Sequence, residues 1–143
     1  MAVSFTNADI DFRLPAKQAL KKFITSSFEK EAKKKLSVSY VFCSDDFLLG
    51  MNQAFLKHDY YTDIITFPLS ETEKKVEAEI YISVDRVRDN ALKLKTGFDQ
   101  ELIRVIFHGI LHLVGYKDKT SSQKEEMRKA EEKWIKAFEN EKA

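Results

Sequence analysis

Two histidines stand four residues apart in the segment His108-Gly109-Ile110-Leu111-His112, within a stretch that is predicted to be helical. At about 100° per residue, this separation returns the second side chain to the same helix face, only about 40° away. Two imidazoles placed in this way can bind one metal ion. Three histidines placed at random would give such a pair in about four per cent of sequences, so the pair alone is weak evidence.

The residues around the pair favour a metal site. Its neighbours are mostly aliphatic, and the polar exceptions form one stripe: Glu101, Arg104, His108 and His112. Burying imidazoles among aliphatic side chains costs free energy unless each has a polar partner, and a metal ion is such a partner. Gly115 then suits a sharp turn with positive φ, and Asp118 offers a third ligand. Three protein ligands leave a fourth position for water, which is typical of catalytic zinc sites.

The spacing His-x-x-x-His-x-x-Gly-x-x-Asp is similar to the metzincin pattern His-Glu-x-x-His-x-x-Gly-x-x-His. Gly109 occupies the position of the glutamate that serves zinc proteases as general base, so peptide hydrolysis by that route lacks its base. We expect a glycine here to leave room beside the metal for a bulky substrate. Two ordinary hydrogen-bonded core histidines are the alternative interpretation of the pair.

The composition limits the class of protein. With 143 residues, 43% apolar and 33% charged, the chain predicts one soluble globular domain, 1–143. The net charge of +1 means that nucleic-acid binding would depend on local patches. A single cysteine, Cys43, excludes a cysteine-rich metal site and suits a reducing cytosol. Neither a membrane span nor a signal peptide is visible, so we expect a cytoplasmic protein with no membrane partner.

The elements that must position the histidines follow from hydrophobic periodicity. Alternating or β-branched runs predict strands near 3–5, 37–42, 64–67 and 78–83, and three- and four-residue spacing predicts helices near 15–34, 44–56, 83–95, 99–114 and from 120 onward. Pro68 is predicted to stop the third strand, Gly97 to end a helix, and Ser122 with Glu125 to form a capping box. The mixed order argues for an α+β or mixed α/β fold.

Three sequence blocks together resemble the YbeY family of ribosomal-RNA maturation endoribonucleases. The segment from His108 to Tyr116 resembles the signature His-Gly-x-Leu-His-Leu-x-Gly-Tyr-Asp-His. Met51-Asn52, Asp59 and the run from Thr62 to Pro68 resemble Leu-Asn…Asp-x-Pro-Thr-Asp-Val-Leu-Ser-Phe-Pro, and the run from Ala78 to Ile82 resembles Gly-Asp-Ile-x-Ile. The blocks occur in the family's order and cover about 51–118.

The resemblance implies a zincin-like α+β fold with a small mixed four-stranded sheet and about five helices. It implies one bound divalent metal, taken as zinc, and hydrolysis of single-stranded RNA in ribosomal RNA maturation and ribosome quality control. The implied partners are single-stranded RNA, ribosomal RNA and the ribosome, with no DNA expected. The family's metal ligands fall on His108, His112 and Asp118, the last replacing a histidine. A carboxylate makes the site harder, and we expect its water to be less acidic than on three histidines.

A second departure concerns the loop after the second helix. The family's Arg-Gly-Lys reads Leu56-Lys57-His58 here, so the arginine thought to help catalysis is Leu56. The catalytic residues therefore stay unassigned, with Lys57 and His58 as candidates. The candidate RNA contacts are cations that can follow a phosphate backbone or simply form a solvated face: Lys57, Arg86 and Arg88, with Lys93, Lys95 and the first helix's Lys17, Lys21 and Lys22. The segment 124–136 is interpreted as an ordinary surface helix.

Two functions remain open from the sequence. The first is a metal-dependent hydrolase of RNA phosphodiesters. The second is a non-catalytic ribosome-assembly factor that binds RNA or a ribosomal protein, in which the metal only holds the end of the helix. Leu56 and Gly109 favour the second. A peptidase shares the ligand spacing but lacks the base.

Overall fold

Four strands form one mixed sheet, and five helices pack around it, in a computed structural model that describes residues 2–142. The strands are β1 (Val3–Asn7), β2 (Lys35–Cys43), β3 (Ile64–Glu71) and β4 (Lys75–Ser83). The helices are α1 (Lys17–Ala32), α2 (Asp45–Leu56), α3 (Val84–Leu94), α4 (Phe98–Val114) and α5 (Ser121–Lys142). The predicted α+β class is confirmed, and the predicted domain, 1–143, extends one residue beyond the described range at each end.

The sheet has the strand order β1-β2-β4-β3, with β1, β2 and β4 parallel and β3 antiparallel at one edge. Alternate residues of β2 and β4 are buried on one face, as the alternating pattern predicts. The Tyr40 hydroxyl on this face donates a hydrogen bond of 2.8 Å to the carbonyl oxygen of Ile106 in α4. The helix that carries both histidines is therefore fixed directly to the middle of the sheet.

Gly109 lies at the closest approach of α4 to the sheet. It is buried, and a Cβ atom added there would lie 3.0 Å from Ile64 Cδ1 and 3.0 Å from Ile80 Cδ1. The expectation that Gly109 leaves room beside the metal for a substrate is therefore wrong, because the space is filled by isoleucine side chains. The same packing would crowd a glutamate at this position, where zinc proteases have their general base.

Several element boundaries differ from the predictions. Strand β3 continues past Pro68 to Glu71 because it is an edge strand, where a proline is tolerated. The pairing with β4 shifts register between Pro68 and Ser70, next to the residue that has no N–H to donate. Helix α1 begins at Lys17 rather than at Pro15. Gly97 does not end the third helix, which stops at Leu94, but is the N-cap of α4. Ser44 and Ser83, where the second and third helices are predicted to begin, are the N-caps of α2 and α3.

The cap of α5 lies two residues before the predicted capping box. The Gln123 N–H donates to Thr120 Oγ1 over 3.1 Å, and the Thr120 N–H donates to Gln123 Oε1 over 3.1 Å. Thr120 and Gln123 thus form the reciprocal box that was assigned to Ser122 and Glu125, because both pairs fit the same pattern and the chain already turns into the helix at Ser121. Within residues 2–142, we find no helix with the length and apolar content needed to cross a membrane.

The packing of Gly109 generates a prediction about stability. Replacing Gly109 with alanine should lower the free energy of unfolding by about 1–3 kcal/mol, because the added methyl group overpacks the interface with Ile64 and Ile80. Gly50 in α2 is the matched control, since it is exposed and a methyl group added to its backbone would meet no atom within 4 Å. There, alanine should stabilise by about 0.5–1 kcal/mol. Urea unfolding of both variants tests this, and equal effects of the same sign would contradict it.

Candidate metal centre

Three side-chain atoms converge at the C-terminal end of α4. His108 Nε2 lies 3.0 Å from His112 Nε2, and Asp118 Oδ2 lies 3.3 Å from each of these nitrogens. Ligand atoms at about 2.1 Å from a tetrahedral zinc ion are about 3.4 Å apart. The three atoms therefore have the mutual spacing of ligands around one ion, and the structure brings together all three residues that the sequence predicts as a metal group.

The turn after α4 places the carboxylate. Gly115 has φ 131°, which favours glycine, and it ends the helix. The N–H groups of Gly115 and Tyr116 both donate to the Leu111 carbonyl, over 3.1 and 3.0 Å. These bonds close the helix end and reverse the chain, so Asp118 returns to the two imidazoles. The predicted sharp turn at Gly115 is confirmed.

The outer nitrogens of both rings have partners that fix their protonation. His108 Nδ1 lies 2.6 Å from Glu131 Oε2, and His112 Nδ1 lies 3.0 Å from the Tyr116 carbonyl oxygen. Because a carboxylate and a carbonyl accept hydrogen bonds, both Nδ1 atoms carry the hydrogen. Two neutral imidazoles then direct bare Nε2 lone pairs at each other, with the Asp118 carboxylate beside them. Only a cation, either a proton or a metal ion, makes this arrangement favourable, so the donor set fits a metal.

Glu131 belongs to a buried ion network that supports the site. It is only 4% exposed, and its Oε1 accepts from Arg104 Nη1 over 3.2 Å. Arg104 also contacts Glu101 Oε1 through Nη2 over 2.9 Å, and Glu101 is 4% exposed. The predicted polar stripe of α4 therefore exists, and a residue of α5 completes it. Buried charges of this kind persist because each has an opposite charge and hydrogen bonds.

The electrostatics of the network act on His108. Burial disfavours the charged ring, but the hydrogen bond to Glu131 and the charge of that carboxylate, with the charges of Asp118 and Asp63, outweigh it and raise the pKa of His108. A carboxylate bonded to the outer nitrogen of a metal-binding histidine fixes the ring and increases its basicity. Glu131 is thus the supporting residue of the candidate centre.

The sequence interpretation missed Glu131, although a signal was present. The apolar face of α5 is formed by Met127, Ala130, Trp134 and Phe138, and Glu131 lies among them, four residues after Met127. A single carboxylate on an otherwise apolar helix face predicts a buried partner of opposite charge or a hydrogen-bond donor. The interpretation of 124–136 as an ordinary surface helix was therefore wrong for this residue.

A cleft of about 590 Å³ is lined by two of the three candidate ligands, His108 and Asp118. Its lining also includes Asp63 and Asn90. Asn90 Nδ2 donates to Asp63 Oδ2 over 3.2 Å, and burial raises the pKa of Asp63 although the charge of His108 opposes the shift. The cleft therefore gives access from solvent to His108 and Asp118 and presents the partly buried carboxylate of Asp63 beside them.

The candidates in the loop after α2 do not line this cleft. Lys57 is exposed at the C-cap of α2, and Leu56 before it is 40% exposed. His58 is also exposed, and its Nδ1 lies 2.9 Å from the Tyr60 hydroxyl while the two rings stack at 5.1 Å. Lys57 and His58 are therefore exposed side chains that do not line the cleft beside His108 and Asp118.

The two arginine candidates on α3 also lie outside the cleft lining. Arg86 pairs with Asp45 over 2.6 Å and with Asp89 over 3.2 Å, and its guanidinium lies 5.0 Å from the centre of the Tyr61 ring. Arg88 is exposed, with its guanidinium 4.8 Å from the centre of the Phe98 ring. Arg86 is therefore committed to contacts within the chain, which reduces its availability for RNA.

The fold and the site define a zincin-like α+β protein with a candidate metal centre of two histidines and one aspartate. Comparison with known families agrees, because the family Endoribonuclease YbeY matches residues 3–139. The chain therefore belongs to the YbeY family, as the three sequence blocks predict.

Relatives and a solved structure support this assignment. The chain is 46% identical over 130 residues to an Endoribonuclease YbeY of Cytophaga hutchinsonii, covering 91% of each chain. It is 40% identical over 136 residues to that of Flavobacterium psychrophilum, covering 95% of this chain and 96% of the relative. The solution structure of TM1509 from Thermotoga maritima has a TM-score of 0.60 at 26% identity, covering 97% and 90% of the two chains. The members of this family are named endoribonucleases, which are hydrolytic enzymes, and this confirms the prediction that the chain is a hydrolase.

The role of Glu131 can be tested by a change of charge without a change of size. Glu131→Gln should weaken zinc binding about tenfold or more, since losing a supporting hydrogen-bond partner typically costs 10–100-fold in metal affinity. Glu132→Gln, one residue along α5 and exposed, is the matched control and should bind zinc like the original protein. Competition against a chromophoric chelator measures both affinities, and equal affinities would show that Glu131 does not support the site.

The raised pKa of His108 predicts how metal binding depends on pH. Zinc affinity should fall as the pH decreases through this pKa, which lies above the ordinary 6.5, because the proton must leave before the metal binds. Glu131→Gln removes the carboxylate that raises the pKa, so its affinity curve should shift to lower pH. Zinc titrations between roughly pH 5.5 and 8 test this around the titration of histidine. Superimposable curves for the two proteins would contradict the electrostatic account.

Proposed function

We propose that this chain is a metal-dependent endoribonuclease that hydrolyses phosphodiester bonds of single-stranded RNA in ribosomal RNA maturation and ribosome quality control. Its partners in this proposal are ribosomal RNA and the ribosome, and its place of action is the cytoplasm. The convergence of His108 Nε2, His112 Nε2 and Asp118 Oδ2 within 3.3 Å carries the proposal. The name of the relatives, endoribonuclease, supports RNA as the substrate.

The proposed ligands of the metal, which we take to be Zn²⁺, are His108, His112 and Asp118. A bound divalent ion would supply Lewis-acid chemistry, lowering the pKa of a water molecule and polarising a phosphoryl oxygen. Glu131 and the Tyr116 carbonyl hold the two imidazoles with their Nε2 atoms free for coordination. Because the carboxylate of Asp118 offsets part of the ion's charge, we expect the pKa of that water to be higher than at a three-histidine site.

A non-catalytic assembly factor is the second candidate. Leu56 favours it, because this residue stands where the family pattern has the arginine thought to help catalysis, and its partly exposed side chain carries no charge. In this alternative the metal group only stabilises the turn between α4 and α5. Binding of RNA or of a ribosomal protein would then be the whole function.

Substitution of the ligands tests the proposal. His112→Ala and Asp118→Ala should lose bound zinc and reduce RNA cleavage to background, because each removes one of three protein ligands. His58→Ala is the matched control, since His58 is exposed and lies outside the cleft lining, so its zinc content should be unchanged. Metal analysis of the purified proteins and cleavage of an end-labelled single-stranded RNA on denaturing gels give the two readouts.

The outcomes separate the two candidates. Full RNA cleavage by a zinc-free His112→Ala protein would overturn the catalytic proposal. Normal ribosome maturation in cells that carry only the His112→Ala protein would select the assembly factor instead. Circular dichroism spectra show whether each variant is folded before it is compared.

A further inference from the structure

A second cleft adjoins the one at the metal centre. We call the first the metal cleft and the second, with a volume of about 860 Å³, the outer cleft. The two share four lining residues, Leu94, Glu101, Arg104 and Arg128, so they adjoin, and together we call them the groove. The groove runs between α3 and the N-terminal half of α4 on one side and α5 on the other.

The two parts of the groove differ in charge. The metal cleft is lined by more acidic than basic side chains, because it includes Asp63 and Asp118 beside the buried network. The outer cleft is lined by five basic residues and three acidic ones. The basic residues are Arg104, Arg128, Lys129, Lys133 and Lys136. Positive charge in the groove therefore lies beyond the metal centre, along α5, where it can attract an anionic chain.

The cations of the outer cleft are unequally available. Arg104 pairs with Glu101 and Glu131, and Lys129 pairs with Glu125 over 3.7 Å. Arg128 and Lys133 are exposed, and neither has an ion pair with any residue of the described chain. Arg128 lines both clefts and thus stands at their junction, and Lys133 lies about 7 Å further along the axis of α5.

Two apolar side chains also line the outer cleft. Leu94 is 54% exposed at the end of α3, and Ile135 is partly exposed on α5, and both line the outer cleft. A single strand of RNA presents phosphates and unpaired bases to the same groove, whereas a duplex hides its bases. A lining of both cations and apolar side chains therefore suits a single strand better than a duplex.

We propose that the outer cleft binds the backbone of a single-stranded RNA, with Arg128 and Lys133 contacting phosphates next to the bond held at the metal centre. This inference rests on the proposed function and names the path of its substrate. The candidates from the sequence, Arg86 and Arg88, line neither cleft, so this RNA path does not include them.

Charge reversal tests the proposal. The double variant Arg128→Glu/Lys133→Glu should bind a fluorescein-labelled 12-nucleotide oligouridine about 25-fold more weakly at 0.1 M salt, since losing each phosphate contact costs about fivefold there. The slope of log affinity against log salt should also decrease by about 1.4, at about 0.7 per contact with a single strand. Fluorescence anisotropy of the zinc-loaded protein at low temperature gives both quantities, and a gel shows that the RNA stayed intact.

The matched control is Arg13→Glu/Lys30→Glu. These cations are exposed, have no ion pair within the described chain and line neither cleft, and their reversal changes the net charge equally. This control should leave the salt slope unchanged. Equal losses in both double variants, or unchanged RNA binding by Arg128→Glu/Lys133→Glu, would overturn the proposal. The single variants Arg128→Ala and Lys133→Ala, each expected to lose about fivefold, replace the double variant if it does not fold.

The same experiment is separable from the proposed function. Anisotropy reports binding, whereas the ligand variants report cleavage. If the original protein binds RNA through the outer cleft but does not cleave it with zinc bound, the catalytic proposal fails and the groove stands. If the protein cleaves RNA while the groove variants bind and cleave normally, the groove fails and the catalytic proposal stands. If the outer cleft instead binds an acidic protein, the groove variants should bind and cleave RNA normally, which is the second of these results.

Discussion

Two imidazole nitrogens held 3.0 Å apart impose the constraint on which the site depends. The Nδ1 atoms of the same two rings already donate to Glu131 and to the Tyr116 carbonyl. The Nε2 lone pairs therefore face each other, with the Asp118 carboxylate alongside. A fold keeps such an arrangement only with a cation between the rings. Three features bring these atoms together: the four-residue spacing that puts both histidines on one face of α4, the turn at Gly115 and the docking of α5.

The support for this cluster is buried and charged, which is costly unless every charge is paired. Arg104 stands between Glu101 and Glu131, and Glu131 also reaches His108, so the network joins α4 to α5 through ion pairs. On the adjoining face of α4, about 100° around the helix from His108, Gly109 lets the helix lie directly against Ile64 and Ile80. The orientation of the histidines is therefore fixed by ion pairs on one face of the helix and by close packing on the next.

The local features of the site were predictable because they depend on neighbours in the sequence. The four-residue separation of His108 and His112, the turn at Gly115 and the return of Asp118 all follow from helix geometry and from the conformational freedom of glycine. The alternating strands and amphipathic helices similarly indicate the α+β class. These features require no knowledge of what packs against them.

The errors concern contacts between distant segments. Glu131 belongs to the site only because α5 docks on α4, and the crowding at Gly109 depends on two strands that are remote in sequence. Pro68 is tolerated because its strand is at the edge of the sheet, which its own residues do not reveal. Each error therefore reflects tertiary packing that overrides a local preference.

X-ray absorption spectroscopy of the zinc-loaded protein, with a crystal structure at the zinc edge, tests the central claim most directly. The account predicts one zinc ion bound by two imidazole nitrogens and one carboxylate oxygen at about 2.0–2.2 Å, with the anomalous peak between His108, His112 and Asp118. A zinc ion located elsewhere, or one bound by the histidines with the Asp118 carboxylate turned away and no other protein ligand in its place, would contradict it.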